Sequence, residues 1–432
     1  MNDTIFALSS GHGKSGVALI RISGNGLSKI FQQIIGKKTI KSRYAYFTNL
    51  NDKNGELIDQ CIAIYFKSPN SFTGEDVIEL HTHGATAVIE SVFEYLRGFG
   101  ARMAERGEFS KRAFYNNKMD LTEIDGLAAL LDARTDKQRA MALKSMTGFD
   151  SKIYESWRKK MIEISAYSAA ILDYDADDLP KDIEKTLITR TKKLYKEINS
   201  ALDCYGAVRT IRNGFNIVLA GDTNVGKSSI FNRLVGSSRA IVSDIPGTTR
   251  DVVSAQLDMD GYLVNLLDTA GIRESNDIIE KIGIEKTHYE IKNADLVLRV
   301  YTSDSEKINN AGINEIIVLN KSDLNNKSKQ SGCVYISALT GDGIEDLIKL
   351  IKNKIHTIIG SSESDLIINE RTYELLLNVK KHLGDALNSD EINFDIFAEQ
   401  IRISADFIGK ILGVISTTEV ANATFNQLCL GK

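Results

Sequence analysis

Over residues 1–118 short β-type runs, such as Gly16 to Ile22 and Cys61 to Phe66, mix with helical stretches such as Ala87 to Leu96. That mixture predicts an α+β domain. From Asp120 the pattern changes, because Ile124, Leu127, Ala128 and Leu131 recur at helical spacing and the chain to about residue 212 is rich in Lys, Glu, Ala and Leu. A helical segment is expected over 119–212. Between 213 and 357 the β-type runs Phe215 to Leu219, Leu263 to Leu267, Asp295 to Tyr301, Glu315 to Leu319 and Cys333 to Ile336 alternate with helical segments. Such alternation predicts a doubly wound α/β sheet. Over 358–432 helical spacing returns, with Leu376, Val379, Leu383 and Leu387 on one face, then Ile401, Ala405, Ile408 and Leu412 on another. The economical architecture is a multidomain α+β chain, in which an α/β domain is inserted into a helical domain made of two separated pieces.

The 432 residues are 43% hydrophobic and 25% charged, and no apolar run approaches the roughly 18 residues that a membrane-spanning helix needs. The segment MNDTIFALSS lacks the basic and apolar regions of a secretory signal, so a cytoplasmic protein is expected. Cys61, Cys204, Cys333 and Cys429 are scattered and form no CxxC pair, which argues against a zinc site or a disulfide framework. The first three read as small core residues. A formal net charge of −4 gives no global attraction to nucleic acid, so an RNA contact requires a local basic patch or a partner. His81 and His83 face one side of a strand, yet no third ligand for a metal is evident, and a pocket wall or a satisfied pair is the preferred reading.

Chemistry concentrates in the alternating segment. The run ending at Leu219 leads into Gly221-Asp222-Thr223-Asn224-Val225-Gly226-Lys227-Ser228-Ser229 and then into an apolar-patterned helix. This is the strand, loop and helix context of a phosphate-binding loop. Backbone amides wrap the phosphates, Lys227 reaches the terminal ones, and the Ser228 hydroxyl ligates Mg²⁺. Asp268-Thr269-Ala270-Gly271 follows another β-type run, placing a carboxylate where it holds Mg²⁺ through water and a glycine near the γ-phosphate. Asn320-Lys321-Ser322-Asp323 resembles the guanine-recognition motif of GTPases, and Ser337-Ala338-Leu339 matches the last guanine-contacting loop. Four elements in this order identify a GTP site.

Ile272 stands where many signalling GTPases carry the glutamine that positions the attacking water. Another group must orient that water and neutralise the developing charge. The stretch Ser243-Asp244-Ile245-Pro246-Gly247-Thr248-Thr249-Arg250 resembles a switch segment whose Thr249 completes the Mg²⁺ shell. Backbone carbonyls before Thr249, with Asn224, are placed to cage a monovalent cation such as K⁺. Arg250 is the competing source of positive charge.

Taken with Asp3-Thr4-Ile5, Ser71-Phe72-Thr73-Gly74-Glu75-Asp76, Arg106-Gly107-Glu108-Phe109-Ser110 and Cys429-Leu430-Gly431-Lys432, the motifs resemble the MnmE (TrmE) family of tRNA-modification GTPases, among the TrmE-Era-EngA-like GTPases. The resemblance spans essentially the whole chain. It implies an amino-terminal domain that dimerises and binds a 5-formyl- or methylene-tetrahydrofolate, a discontinuous helical domain and an inserted P-loop GTPase domain. It also implies K⁺ ligands at Asn224, Ser243, Ile245 and Thr248, Mg²⁺ ligands at Ser228 and Thr249, and Glu280 as the residue orienting the hydrolytic water. Unaided, Glu280 reads as one of many solvated helix-face carboxylates. Folate binding is carried onto Arg21, Glu79, Lys118 and Lys432, and Cys429 is brought toward that pocket.

The implied function is GTP-driven addition of a (carboxymethyl)aminomethyl group at carbon 5 of a tRNA wobble uridine. The implied assembly is a homodimer joined by a flavin-containing, MnmG-like FAD protein in a heterotetramer or larger complex. One alternative is a regulatory or ribosome-assembly GTPase without folate chemistry, which would lack the Cys-x-Gly-Lys motif and the amino-terminal domain. Another is a self-sufficient folate-dependent transferase, disfavoured because the chain carries no flavin or nicotinamide motif.

Overall fold

The computed structural model describes residues 3–11, 13–237, 239–241, 253–268, 289–305, 308, 311–324, 332–360, 366, 368–388, 393–414 and 431. The chain divides into two compact units, one of Met1–Ala128, Ser145–Lys192 and Asn378–Lys432, the other of Ala129–Lys144 and Lys193–Leu377.

The first unit holds a six-stranded sheet built from β1 (Ile5–Leu8), β2 (Ser15–Gly24), β3 (Ala45–Asn51), β4 (Leu57–Phe66), β5 (Asp76–Gly84) and β6 (Arg102–Met103), in the order β3-β4-β5-β2-β1-β6. Alternation along the strands sends one face inward, where Ile20, Ile22, Ala63, Tyr65 and Leu80 meet Phe31, Ile34, Val92, Phe93 and Leu96 of helices α1 (Ser28–Ile35) and α2 (Thr86–Arg97). On the other face Ile5 and Ala7 meet Phe109 of α3 (Glu108–Tyr115). Helix α4 (Leu121–Asp132) starts with a reciprocal capping box: Glu123 Oε2 accepts from Asp120 N–H and Asp120 Oδ1 from Glu123 N–H, both at 2.9 Å.

The second unit is built around α8 (Tyr205–Asn213), β7 (Phe215–Ala220), α9 (Lys227–Ser237), β8 (Arg239–Ile241), β9 (Val253–Met259), β10 (Tyr262–Asp268), β11 (Leu296–Thr302), β12 (Glu315–Asn320), β13 (Cys333–Tyr335) and α10 (Ile344–Ile359). The intervening helices in chain order are α5 (Asp136–Met146), α6 (Phe149–Asp173) and α7 (Ile183–Asp203); α11 (Glu370–Leu387) and α12 (Phe394–Leu412) follow. In the first unit α6 and α12 pack on one another.

The second sheet runs β13-β12-β11-β7-β10-β9-β8, parallel from β13 to β10. All five expected β-type runs are strands. The hydrophobic pattern did not reveal β8 and β9, which add an antiparallel edge; one is three residues long and the other, VSAQLDM, carries polar residues within it. The central strand β7 is buried on both faces, and Ile344, Leu347, Ile351, Ile355 and Ile359 line the core-facing stripe of α10.

Of the cysteines read as core residues, only Cys61 is fully buried, and burial beside Asp59 pushes its thiol up to about 12. Cys204 and Cys333 are half-buried instead. Cys204 lies at the start of α8, its thiol on the Ser200 carbonyl, and Cys333 lies on the short edge strand β13. No helix among the described residues is long and apolar enough to cross a membrane.

Candidate functional site

The parallel strands β7, β10, β11, β12 and β13 all end on one edge of the second sheet, the edge where open α/β sheets bind ligands. Loop 221–226 joins β7 to α9, whose first residue is Lys227. Val225 and Lys227 are buried, while Asn224, Ser228 and Ser229 are exposed. Lys227 Nζ donates to the Gly221 and Asp222 carbonyls, each at 2.8 Å, which curls the ammonium over the loop. Ser228 Oγ donates to Asp268 Oδ2 at 2.8 Å, and Asp268, at the end of β10, is only 2% exposed. A hydroxyl and a carboxylate so placed form a hard oxygen donor pair suited to Mg²⁺.

Three loops are tied together by Asn320. Its Nδ2 donates to the Val225 carbonyl at 2.8 Å and its Oδ1 accepts from Ala338 N–H at 3.0 Å. Lys321 Nζ reaches the Asn224 carbonyl at 3.0 Å. Gly226 has φ +95°, and a Cβ there would lie 2.2 Å from Asn320 Nδ2, so the close approach admits only glycine. Asp323 lies exposed in the short 3-10 turn Ser322–Leu324, where Ser322 N–H is bound to the Ile336 carbonyl at 3.1 Å. Ser337 is fully buried, and Leu339 is 78% exposed beside it.

Arg233 escaped the sequence reading. From the exposed side of α9 its Nε donates to the Ala338 carbonyl at 2.8 Å and its Nη2 to the Leu339 carbonyl. Nothing in a lone arginine on a helix face distinguishes it from a solvated side chain.

The structure therefore gathers Asn224, Val225, Gly226, Lys227, Ser228, Ser229, Asp268, Asn320, Lys321, Asp323, Ser337, Ala338 and Leu339 on one edge. Ser243, Asp244, Ile245, Pro246, Gly247, Thr248, Thr249, Arg250, Thr269, Ala270, Gly271, Ile272, Glu280, Cys429 and Lys432 lie outside the described residues.

A second constellation lies in the first unit. Arg21 on β2 is registered opposite Glu79 on β5, and Nε and Nη2 both donate to Oε1, at 3.1 and 2.9 Å. The guanidinium also lies 5.3 Å from the Phe72 ring centroid and 5.9 Å from that of Phe109. Its Nη1 reaches the Gly431 carbonyl at 3.5 Å, which also accepts from Ser9 Oγ at 2.9 Å. Gly431 has φ +89° and comes so near the strand that a Cβ would lie 2.4 Å from the Leu8 carbonyl. Lys118 is exposed, and its methylenes lie alongside Gly74. A cation fixed by two rings and a carboxylate with one oxygen free of Arg21 together suit a ligand carrying amide-like and acidic groups.

Of the two histidines, His83 pairs through Nδ1 with Asp59 Oδ1 at 2.7 Å, and His81 Nε2 lies 4.0 Å from Glu79 Oε2. Among the described residues no group of three or more His, Cys, Asp or Glu side chains is arranged to hold a metal.

Beside this cluster is an ionic network. Arg112, 1% exposed, donates to Glu75 Oε2 at 2.9 Å, to Asp3 Oδ1 at 2.9 Å and to Glu108 Oε1 at 3.1 Å. Arg102 grips both oxygens of Glu108, at 2.9 and 2.6 Å, and Asp3 Oδ2 at 2.6 Å. Burial alone would raise the Glu108 pKa, yet hydrogen bonds from Arg102, the Glu105 amide and Arg112 outweigh it and hold the carboxyl below its ordinary range.

The chain resembles known proteins along its whole length. Residues 4–118 match the family described as GTP-binding protein TrmE N-terminus, and residues 121–429 match the MnmE helical domain. The chain is 37% identical over 437 residues to the tRNA modification GTPase MnmE of Agrobacterium fabrum, spanning all of this chain and 99% of that one. It is 38% identical over 448 residues to the MnmE of Rickettsia typhi and 36% over 455 residues to that of Aquifex aeolicus, spanning the full length of each pair. With likeness of this extent over every segment, the chain belongs to the MnmE (TrmE) family of tRNA modification GTPases.

Proposed function

We propose that this GTPase binds GTP on loop 221–229, hydrolyses it with Mg²⁺ and K⁺, and couples the cycle to modification of carbon 5 of the wobble uridine in tRNA. The observation that carries the reading is the Ser228–Asp268 hydrogen bond at 2.8 Å beneath the phosphate loop. In this reading Lys227 exchanges its loop carbonyls for the terminal phosphates, and Asp323 accepts two hydrogen bonds from guanine. Ser228 and Thr249 hold Mg²⁺, and Asn224, Ser243, Ile245 and Thr248 hold K⁺. When bound, the two cations would supply positive charge to the phosphoryl group. Thr249 and Glu280 fix the attacking water, the task left open by Ile272. The remaining GTP contacts are Val225, Gly226, Ser229, Asp244, Pro246, Gly247, Asp268, Thr269, Ala270, Gly271, Asn320, Lys321, Ser337, Ala338 and Leu339.

The functional segments are 1–118 for dimerisation and folate, 119–212 and 358–432 for the helical domain, and 213–357 for the GTPase. Arg21, Glu79, Lys118 and Lys432 bind a 5-formyl- or methylene-tetrahydrofolate, which supplies one carbon, and Cys429 stands near that carbon. Arg21, held by Glu79 and two phenyl rings, is preorganised for this role. Two copies join across their GTPase segments, and an MnmG-like FAD protein supplies redox chemistry for the (carboxymethyl)aminomethyl group in the cytoplasm. Mass analysis of wobble nucleosides in tRNA from cells lacking the protein tests this. Loss of the modified uridine is expected, and an unchanged nucleoside profile overturns the reading.

A further inference from the structure

We infer that Arg233 is a positioning residue for nucleotide specificity, acting through the loop of Ala338 and Leu339. The inference rests on the assignment of that loop and of Asp323 to the guanine base.

Helix α9 begins at Lys227, on the phosphate side of the site, and Arg233 projects from it to the opposite side, donating to the Ala338 carbonyl at 2.8 Å and to the Leu339 carbonyl. Ala338 is also held through its preceding peptide, because its N–H donates to Asn320 Oδ1 at 3.0 Å. The rest of the turn is pinned by Gly341 N–H on the Ser337 carbonyl at 2.8 Å and by Ser337 N–H on the Asp342 carbonyl at 2.9 Å. Two consecutive carbonyls of this loop thus terminate on one guanidinium.

The consequence for the base is chemical. Guanine offers an acceptor at O6 where adenine offers an amino donor. A loop carbonyl turned toward the base would accept from adenine and repel guanine O6. Peptide groups are planar and trans, so a carbonyl held toward Arg233 keeps its N–H on the opposite edge. Ala338 N–H and Thr340 N–H are already taken, by Asn320 Oδ1 at 3.0 Å and Ser337 Oγ at 3.2 Å, so by engaging the Ala338 carbonyl Arg233 leaves Leu339 N–H, on the opposite edge of that peptide, as the donor to offer, the polarity that suits guanine. One rigid helix then sets the phosphate end and the base end of the site together, so a nucleotide is measured against a fixed length as well as a fixed polarity.

The test is equilibrium binding of GDP, ADP and XDP to the full chain. Arg233→Ala lowers the ratio of GDP to ADP affinity about tenfold, in line with loss of hydrogen bonds from a charged donor. Arg233→Lys, whose single ammonium reaches the carbonyls without the fork geometry, gives an intermediate ratio. A merely structural role would weaken both nucleotides equally and leave the ratio at the wild-type value, which overturns the inference. Asp323→Asn separates this failure from failure of the base-site assignment, since an amide that donates favours the carbonyl at C2 of xanthine. If Asp323→Asn shifts preference to XDP and Arg233→Ala leaves the ratio unchanged, the inference alone falls. If Asp323→Asn causes no shift, the base-site assignment falls and the inference with it.

Discussion

Asn320 donates its Nδ2 to the Val225 carbonyl at 2.8 Å, so the loop assigned to the guanine base and the loop assigned to the phosphates share a buried hydrogen bond. Its Oδ1 binds Ala338 N–H at 3.0 Å, which makes this one side chain the junction of three loops. Asn320→Ala leaves both backbone groups unpaired, at a cost of about 1–3 kcal/mol each. GDP affinity measured by calorimetry should fall at least tenfold. Unaltered affinity would show that the junction does not preorganise the site.

Gly226 is where that junction is tightest. Gly226→Ala adds a methyl 2.2 Å from Asn320 Nδ2 at φ +95°, so both the backbone and the Asn320 amide must move. Nucleotide binding is expected to be lost while the far-ultraviolet circular dichroism is retained. Binding at wild-type strength would contradict the packing described.

The proposed hydrolytic arrangement makes two kinetic demands. GTP turnover in KCl should exceed turnover in NaCl by roughly tenfold or more, the scale expected for one preorganised charge at a transferring phosphoryl group. Glu280→Ala should abolish turnover and leave GDP affinity nearly intact. Equal rates in the two salts remove the K⁺ role, and a normal rate in the variant returns Glu280 to an ordinary surface carboxylate.

Acid should act on the first unit through Glu108 and Asp3. Both carboxyls have lowered pKa values: burial pushes each upward, and the hydrogen bonds and charge of Arg102 prevail in both, joined by hydrogen bonds from the Glu105 amide and Arg112 at Glu108 and by the charge of Arg112 at Asp3. A lowered native pKa contributes stability that is fully present above the unfolded value, ordinarily 4.5 for Glu and 3.8 for Asp, and is lost as pH falls through the native value. Thermal melts followed by Trp157, the chain's one tryptophan and a buried residue of this unit, should therefore lose stability below about pH 4.5. Glu108→Gln should lower the melting temperature at pH 7 and flatten that acid limb. An acid limb as steep as the wild type's would assign the loss to other groups.

Arg21→Ala tests the folate site proposed in the first unit. Removing the guanidinium leaves Glu79 without its pair and takes a cation off the Phe72 and Phe109 rings. Calorimetric titration with 5-formyl-tetrahydrofolate should show at least a tenfold loss of affinity, consistent with a charged hydrogen-bonding partner. Undiminished binding would place the folate elsewhere.

Local patterns made the second unit legible, because a buried strand, a glycine loop and a helix occur consecutively at Phe215–Ser237. The polarity of the base loop was not, since Arg233 meets Ala338 across a separation of 105 residues. The ionic network is a similar case. Asp3, Glu75, Glu108 and Arg112 sit in or near motifs that the sequence singled out, yet their pairing depends on strand order and on α3, which no local pattern encodes. The antiparallel edge β8–β9 was missed because three exposed or half-buried residues carry too little hydrophobic signal.

The Gly431 carbonyl on Ser9 has a bearing on synthesis. The two residues are separated by 422 positions, so a contact beside the Arg21–Glu79 pair joins stretches of chain made far apart in time. While the ribosome is still translating loop 221–226, the first sheet can fold, but the carbonyl that Ser9 and Arg21 share has not yet been made. The finished contact at Arg21 thus separates chains that have been read through residue 431 from those that have not.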